Sequence, residues 1–329
     1  MHNTPDFSLI LDSSDISNSV KDRLINLTLI DKRGLEADQL DLTLSDHDGR
    51  LSLPRRGVPI TCYMGWKGGK LVDKGTFTVD EVQHSGSPDK LTITARSADF
   101  RQGFTEQKER SWHEKSLAEI VETIAADYQL KTIIAEPLQQ IAIAHIDQTH
   151  ESDAHLLSRL AMTHDAIATI KNNHLLVLPL GYSKTVSGLN LQSITLTRQQ
   201  SSEHCYREAD RQARYTGTKA HWADKTTAEM HSVIIGAEGY LKNLRSPYAS
   251  QSEATAAAEA AWQRLQRGQQ SMEITLTKGR ADIIPESPVR LTGWKAPIDH
   301  IRWLTREIRH SINDSGFTSQ LTLEAAVNN

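Results

Sequence analysis

Strict alternation of apolar and polar residues is the feature that most constrains the fold of this chain. Apolar residues recur at every second position in several early runs, formed by Ile25, Leu27 and Leu29, by Leu40, Leu42 and Leu44, and by Leu91, Ile93 and Ala95. Because successive side chains of a strand point to opposite faces, each run predicts a strand with one buried face. Turn signals separate the runs, and Gly68-Gly69 suits a tight hairpin. Short strands with such turns predict a small antiparallel barrel or sandwich.

The middle of the chain changes to helical spacing. Ser116 and Glu119 match a capping box, in which each side chain accepts a hydrogen bond from the other residue's backbone N–H. Apolar residues then follow at helical positions, namely Leu117, Ile120, Val121, Ile124 and Tyr128. A second helix is predicted from Asp153, with Ser152 or Asp153 as its N-cap, and strands are predicted at 166–170 and 175–178. Together these elements predict a small α/β insertion.

The last part returns to strands and is interrupted by one helix. Ile274 and Leu276 alternate with threonines, and Phe317, Ser319, Leu321 and Leu323 share a strand face. The interruption begins with a second predicted capping box, Ser250 and Glu253, and Gly268 follows at the position where a left-handed residue is expected. No convincing internal sequence repeat is evident, so the sequence does not support two copies of one module.

The predicted fold class is therefore β-rich α+β, with antiparallel β domains on either side of a small α/β insertion. We predict a first β domain at 1–105, the insertion at 106–185, and a second β domain at 186–329 with its helix near 250–267. This organisation agrees with the length of 329 residues, which predicts about two or three domains.

Charge and cysteine content exclude several classes of protein. The chain has 37 basic and 41 acidic residues and a net charge of -4, whereas phosphate binding normally needs a basic face. Arg207, Arg211 and Arg214 lie among acidic residues, which indicates a solvated surface. Cys62 and Cys205 fit neither a disulfide framework nor a zinc site. Without a signal or membrane-spanning pattern, we expect a soluble protein made in a cytoplasm.

A search for chemistry predicts no catalytic, cofactor-binding or metal-binding residue. The phosphate-loop, zinc-protease and nucleophile-elbow motifs are absent from the sequence. A cluster of possible ligands between 145 and 164, which consists of His145, Asp147, His150, Asp153, His155 and His164, crosses a loop-to-helix boundary and favours a structural role. Glu106, Glu109 and Glu114 are interpreted as solvated surface, although a carboxylate pair has no sequence signature.

The hairpin tip at Trp66 and Lys67 holds the candidate partner-contact residues. A tryptophan exposed on a hairpin favours contact with a partner. The alternative is that Trp66 folds back onto its own β domain, and the sequence leaves both possibilities open.

Many separate blocks, in order along nearly the whole chain, resemble the phage late control gene D protein family. The blocks are 53–57 (LPRRG), 77–82 (FTVDEV), 84–86 (HSG), 96–101 (RSADFR), 146–153 (IDQTHESD), 157–161 (LSRLA), 262–268 (WQRLQRG), 279–282 (GRAD) and 314–318 (DSGFT). Family members carry a longer Lys- and Pro-rich segment before the 250–267 helix, where this chain is short around 230–248. This departure puts any function of that segment in doubt.

The resemblance implies a structural baseplate hub of a contractile tail. It implies two tail-tube-like β-barrels per chain and a homotrimer whose six barrels form a ring. The ring would join the sixfold tail tube to the threefold central spike, with the tape-measure protein and other baseplate proteins as further partners. We expect location in the virion baseplate, assembly in the host cytoplasm, and no sequence-specific nucleic-acid contact. The alternative is a tail-associated protein that binds or hydrolyses peptidoglycan.

Overall fold

The computed structural model describes residues 4–97, 103–171, 173–182, 191–209, 214–223 and 229–326. The first β region contains one short helix, α1 (Ser17–Lys21), and seven strands: β1 (Pro5–Leu11), β2 (Ser14–Asp15), β3 (Leu24–Lys32), β4 (Gln39–Ser45), β5 (Pro59–Trp66), β6 (Val72–Ser85) and β7 (Lys90–Ser97).

The insertion follows with strands and helices mixed. Its elements are β8 (Gln107–Ser116), α2 (Leu117–Asp127), β9 (Lys131–Ile134), α3 (Glu136–Gln139), β10 (Ala142–Ser152), α4 (Asp153–Thr163), β11 (Ala166–Lys171) and β12 (His174–Pro179). β8 and β10 form an antiparallel ribbon, and β9, β11 and β12 form a second small sheet.

The described residues of the last region add nine strands and two helices. These are β13 (Ile194–Thr197), β14 (Ser201–Glu208), β15 (Gly217–Ala223), β16 (Met230–Gly236), β17 (Leu241–Asn243), α5 (Gln251–Arg267), β18 (Gln270–Leu276), β19 (Pro288–Thr292), α6 (Ala296–Asp299), β20 (Arg302–Asn313) and β21 (Gly316–Ala325). α5 packs on a separate sheet of β15, β16 and β17, for which the sequence pattern gives no prediction.

The two β regions join in one 13-stranded sheet, ordered β14-β18-β21-β20-β3-β4-β7-β6-β5-β1-β2, with β19 on β20 and β13 on β19. We call β1 and β3–β7 the first module, and β13, β14 and β18–β21 the second module. The β-rich α+β fold class is confirmed, whereas the domain boundaries 1–105, 106–185 and 186–329 stay a prediction.

Each part is built around its own apolar cluster, as the alternation predicts. Leu40, Leu42 and Leu44 are buried in the first module, and Leu321 and Leu323 are buried in the second. The insertion has a third cluster, in which α2 and α4 bury the predicted apolar faces. The capping box at α2 is present, and Ser152 is the N-cap of α4.

Local backbone geometry differs from the sequence-based prediction at three positions. Ile25 is 36% exposed, because a β-bulge between Leu24 and Asn26 turns it away from the face of Leu27. Gly268 has a right-handed φ of -72°, since its N–H still bonds helically to Arg264 O at 3.0 Å. At the start of α5, the Ser250 hydroxyl accepts a hydrogen bond from Glu253 N, as in a capping box. The Glu253 carboxylate, however, accepts from Ala249 N, one residue before the N-cap.

The two modules have the same strand order. The first runs β3-β4-β7-β6-β5-β1 and the second runs β14-β18-β21-β20-β19-β13, with the paired elements in the same chain order. The two modules differ in the direction of one strand, because β1 is antiparallel to β5 whereas β13 is parallel to β19. The matching order indicates that the second module repeats the first.

Backbone irregularities repeat at matching positions. β3 and β14 each carry a bulge opposite the end of the next strand. β6 and β20 also carry matching bulges, at Val79/Glu81 and at Thr305/Glu307. Gly57 N donates to Val79 O at 2.8 Å, and Glu286 N donates to Thr305 O at 2.8 Å. Both Gly57 and Glu286 have positive φ and stand two residues before the proline that begins the next strand. The repeat therefore extends to the register of single residues.

The register aligns a short sequence repeat that sequence inspection missed. Residues 77–85 (FTVDEVQHS) correspond to residues 303–311 (WLTREIRHS), with an aromatic residue first, Glu-Val against Glu-Ile, and His-Ser at the end. The two β regions therefore share a weak sequence repeat, which becomes visible only when the strand register aligns them. The shared residues are too few to stand out until the bulges fix the alignment.

Candidate functional site

The junction between the modules is a continuous antiparallel strand pair. Residues 26–32 of β3 pair with residues 313–307 of β20, and Leu29 lies opposite His310. His310 is 0% exposed, and its Nδ1 lies 2.8 Å from the hydroxyl of Ser319. Burial penalises a charged imidazole and lowers the pKa of His310 well below 6.5. A neutral, packed junction holds the modules at a fixed orientation.

Trp66 strengthens this junction from the hairpin tip of the first module. Its indole Nε1 donates to Gly279 O at 3.0 Å, and its ring centroid lies 5.3 Å from that of Phe317. Lys278 Nζ lies 5.1 Å from the ring centroid, within the range of a cation–π contact. The half-buried ring thus packs on its own chain, whereas Lys67 is exposed. A partner-contact role for Trp66 and Lys67 stays a prediction.

Partly buried ion pairs attach the insertion to the first module. Lys171 Nζ lies 2.5 Å from Asp38 Oδ2 and 3.3 Å from Asp31 Oδ1, and Lys74 Nζ lies 3.6 Å from Asp31 Oδ2. Burial disfavours the Lys171 ammonium, but Asp31 and Asp38 outweigh this effect and raise the pKa of Lys171 to about 12. Burial and repulsion from Asp31 raise the pKa of Asp38. The four groups depend on one another for charge compensation.

A second set of ion pairs connects all three parts. Arg33 of the first module contacts Glu286, and its Nη1 lies 2.5 Å from Glu324 Oε1 of β21. Glu324 is 3.7 Å from Arg267 Nε at the end of α5, and Arg267 also contacts Asp165 of the insertion. Removing one member would leave an uncompensated charge in a largely buried place. This arrangement favours a rigid component over one with moving domains.

Asp153, one of the possible metal ligands, is committed to a structural network. The carboxylate is 0% exposed and accepts from Lys108 Nζ at 2.6 Å, from the Tyr128 hydroxyl at 2.7 Å and from Gln148 Nε2 at 2.8 Å. Burial would raise the pKa of Asp153, but hydrogen bonds from Lys108, Gln148 and Tyr128 outweigh it, and the pKa is lowered. Asp153 therefore holds β8, α2 and α4 together.

The other possible ligands do not converge with Asp153. His145 Nε2 lies 3.1 Å from Asp147 and its Nδ1 lies 3.0 Å from His113 Nδ1, whereas His155 contacts Glu151. His150 is 3.4 Å from Glu109. Within the ranges that the structure describes, no three His, Cys, Asp or Glu side chains are placed to hold a metal ion.

The remaining candidates lie apart on the surface. Glu106, Glu109 and Glu114 are exposed along or beside β8. Arg207 lies 3.7 Å from Glu273, while Arg211 falls outside the described residues. Among the described helices, none combines the length and the apolar character needed to cross a bilayer.

Comparison with known proteins first defines the class. The fold matches a 43 kDa tail protein of prophage MuSo2 from Shewanella oneidensis, with a TM-score of 0.73, 16% identity, and coverage of 97% of this chain and 98% of that one. It also matches a component of the E. coli type VI secretion system that is itself described as similar to T4 tail proteins gp27 and gp5, with a TM-score of 0.59, 11% identity, and coverage of 93% and 74%. The chain therefore has the same fold as a prophage tail protein and a type VI secretion component.

Sequence comparison then gives the family. The model of the phage tail baseplate hub (GPD) family matches residues 36–316. A probable baseplate hub protein of Escherichia phage 186 is 41% identical, over 97% of this chain and 92% of its own length. The chain belongs to the phage tail baseplate hub family, and the resemblance is confirmed. Membership of this family places the chain in the tail baseplate of a virion.

Proposed function

We propose that three copies of this chain form a ring that joins a sixfold tail tube to a threefold central spike. The observation that carries the proposal is the internal repeat, which gives each chain two modules of equal strand order and register. Three chains supply six such modules, and a ring of six similar modules can match a sixfold tube. The chain itself repeats three times, so the same ring can match a threefold spike.

The role is structural and not catalytic. The partly or largely buried ion pairs that connect the modules and the insertion give a part of fixed shape, which symmetry matching requires. The partners are the spike, the tail tube, the tape-measure protein and other baseplate proteins, met during assembly in the host cytoplasm. The net charge of -4 suits a ring that lets DNA pass without sequence-specific contact.

Light scattering of the purified chain, alone and mixed with its spike protein, tests the proposal. We expect the mass of a trimer at least when the spike is present, because assembly can depend on the partner. A chain that stays monomeric and does not bind the spike contradicts the proposal. Clearing of a peptidoglycan gel by the purified chain would instead favour the hydrolytic alternative, and retention on cell walls without clearing would favour a binding protein.

A further inference from the structure

The internal junction shows how one module of this fold binds the next. The C-terminal half of β20, from Glu307 onward, leaves β19 after the bulge and pairs with β3 along its free edge. A strand edge without a partner presents unpaired N–H and C=O groups and is open to another strand. Because the modules repeat, the edges of β20 and β3 that meet at the junction each have a counterpart in the other module. Neither counterpart has a partner among the described strands.

The first open edge belongs to β6. Residues 81–85 correspond to residues 307–311 of β20, since both segments follow a bulge and precede a hairpin. β5 pairs with β6 only up to Thr78, so the edge of residues 81–85 opposite β7 faces no described strand. The side chain of His84 is 43% exposed, whereas its counterpart His310 is 0% exposed at the internal junction.

The second open edge belongs to β14. β14 corresponds to β3, because each carries a bulge and pairs in the same register with β18 or β4. β3 has strands on both sides, but β14 pairs only with β18 in the described part of the chain. Nearly all of β14 is exposed, and His204 and Tyr206 stand where Leu27 and Leu29 are buried in β3. The edge of β14 is open, although Tyr206 is half-buried against the cluster of the second module, with its ring centroid 6.3 Å from that of Trp303.

We propose that β14 of one copy pairs antiparallel with residues 81–85 of β6 in the next copy, as β3 pairs with β20 within a chain. The partner is a second copy of this chain, because each open edge corresponds to one side of a junction that the chain already forms with itself. The inference rests on the proposed ring for the number of copies. Such a head-to-tail contact uses different surfaces on the two sides, and it closes as a ring when three successive rotations complete a full turn.

The internal register fixes the residues that face each other. Leu29 lies opposite His310 and Thr28 lies opposite Ser311 at the internal junction. The matching positions are Tyr206 and His84 for the first pair, and Cys205 and Ser85 for the second. Cys205 is therefore opposite Ser85 of the neighbouring copy. Antiparallel partners have Cα atoms about 4.5–5.5 Å apart, within the range of a disulfide.

Substitution Ser85→Cys tests this register with the native Cys205 as its partner. We expect the full-length variant, assembled with its spike protein and oxidised, to give covalent dimers and trimers on a non-reducing gel, and no larger species. Cys62 does not compete, because it is buried and burial raises the pKa of its thiol to about 12. The ladder should vanish when Cys205→Ser is added.

The control Gln83→Cys puts a thiol on the same exposed strand edge, two residues out of register. We expect at least tenfold less crosslinking than with Ser85→Cys. A trimer by mass in which Ser85→Cys does not crosslink overturns the strand pairing but leaves the proposed ring intact. Crosslinks from Ser85→Cys to the spike alone also overturn it. A chain that neither crosslinks nor trimerises with spike present overturns both.

Hydrogen exchange of the wild-type chain gives an independent answer if Ser85→Cys fails to fold. The amides of residues 81–85 and 203–208 should exchange at least tenfold more slowly in the trimer than in the monomer, because they enter a strand ladder. Equal exchange in both states contradicts the inference.

Discussion

Asp153→Ala should destabilise the chain strongly, because the carboxylate is the shared acceptor of three buried or half-buried donors. Lys108 Nζ, the Tyr128 hydroxyl and Gln148 Nε2 lie 2.6, 2.7 and 2.8 Å from its oxygens. Breaking a buried charged pair costs about 3–5 kcal/mol. Lys108 is 24% exposed and can regain water, and Tyr128 can keep its bond to Gly103 O, so the lower end of the range applies. We expect a loss of about 3 kcal/mol in the free energy of unfolding.

Urea unfolding at pH 7 measures this loss, and Asp147→Ala is the matched control. Asp147 lies on the same ribbon and bonds to Ser111, but its side chain is 53% exposed. The control should unfold at the wild-type urea concentration. An Asp153→Ala variant that also unfolds at the wild-type concentration would refute the assignment of Asp153 as the acceptor that holds the insertion together.

The difference in the free energy of unfolding between wild type and Asp153→Ala should also depend on pH, because only the ionised carboxylate is stabilised by these donors. The pKa of Asp153 is lowered in the folded chain, so its stabilising contribution is complete above the unfolded carboxyl value of about 4. The contribution is lost as the pH falls through the lower folded value. Wild type and Asp153→Ala should therefore differ fully at pH 7 and converge below about pH 4. Convergence already near pH 6 would contradict this account.

Two further predictions concern the junction between the modules. Trp66→Ala should lower the free energy of unfolding by about 2 kcal/mol, because it removes the contact with Phe317 and the bond to Gly279 O, while Lys67→Ala should not. Equal thermal unfolding of the two variants would contradict that packing role. The contribution of neutral His310 is complete above about pH 6.5 and declines below it by about 1.4 kcal/mol per pH unit, so His310→Gln should flatten the profile between pH 6.5 and 5. Parallel profiles in urea unfolding would contradict this.

Local patterns predicted local structure well. The alternation at Leu40, Leu42 and Leu44 identified a strand face, and the Ser116 capping box identified the start of α2. β8 was missed because its strand, 107–116, is mostly charged and polar, with Trp112 as its one buried side chain. Ile25 was assigned to the wrong face because a bulge shifts the alternation by one residue, and the sequence carries no separate signal for that bulge.

Long-range relations were beyond the sequence. The pairing of β3 with β20 joins residues near the two ends of the chain. Nothing in the sequence of either strand identifies the other as its partner. The internal repeat is carried by bulges and by the left-handed backbone at Gly57 and Glu286, which occupy equivalent positions with different side chains. For the same reason the hairpin at Trp66 was predicted, but not its contact with Phe317.

Electron microscopy of the chain assembled with its spike protein would show the proposed ring itself. We expect a ring of three chains in which six β modules follow one another at nearly equal rotations, because every junction repeats the pairing of β3 with β20. A ring with another number of chains would contradict the proposal. So would three chains whose β modules meet at the spike without forming a continuous sixfold arrangement.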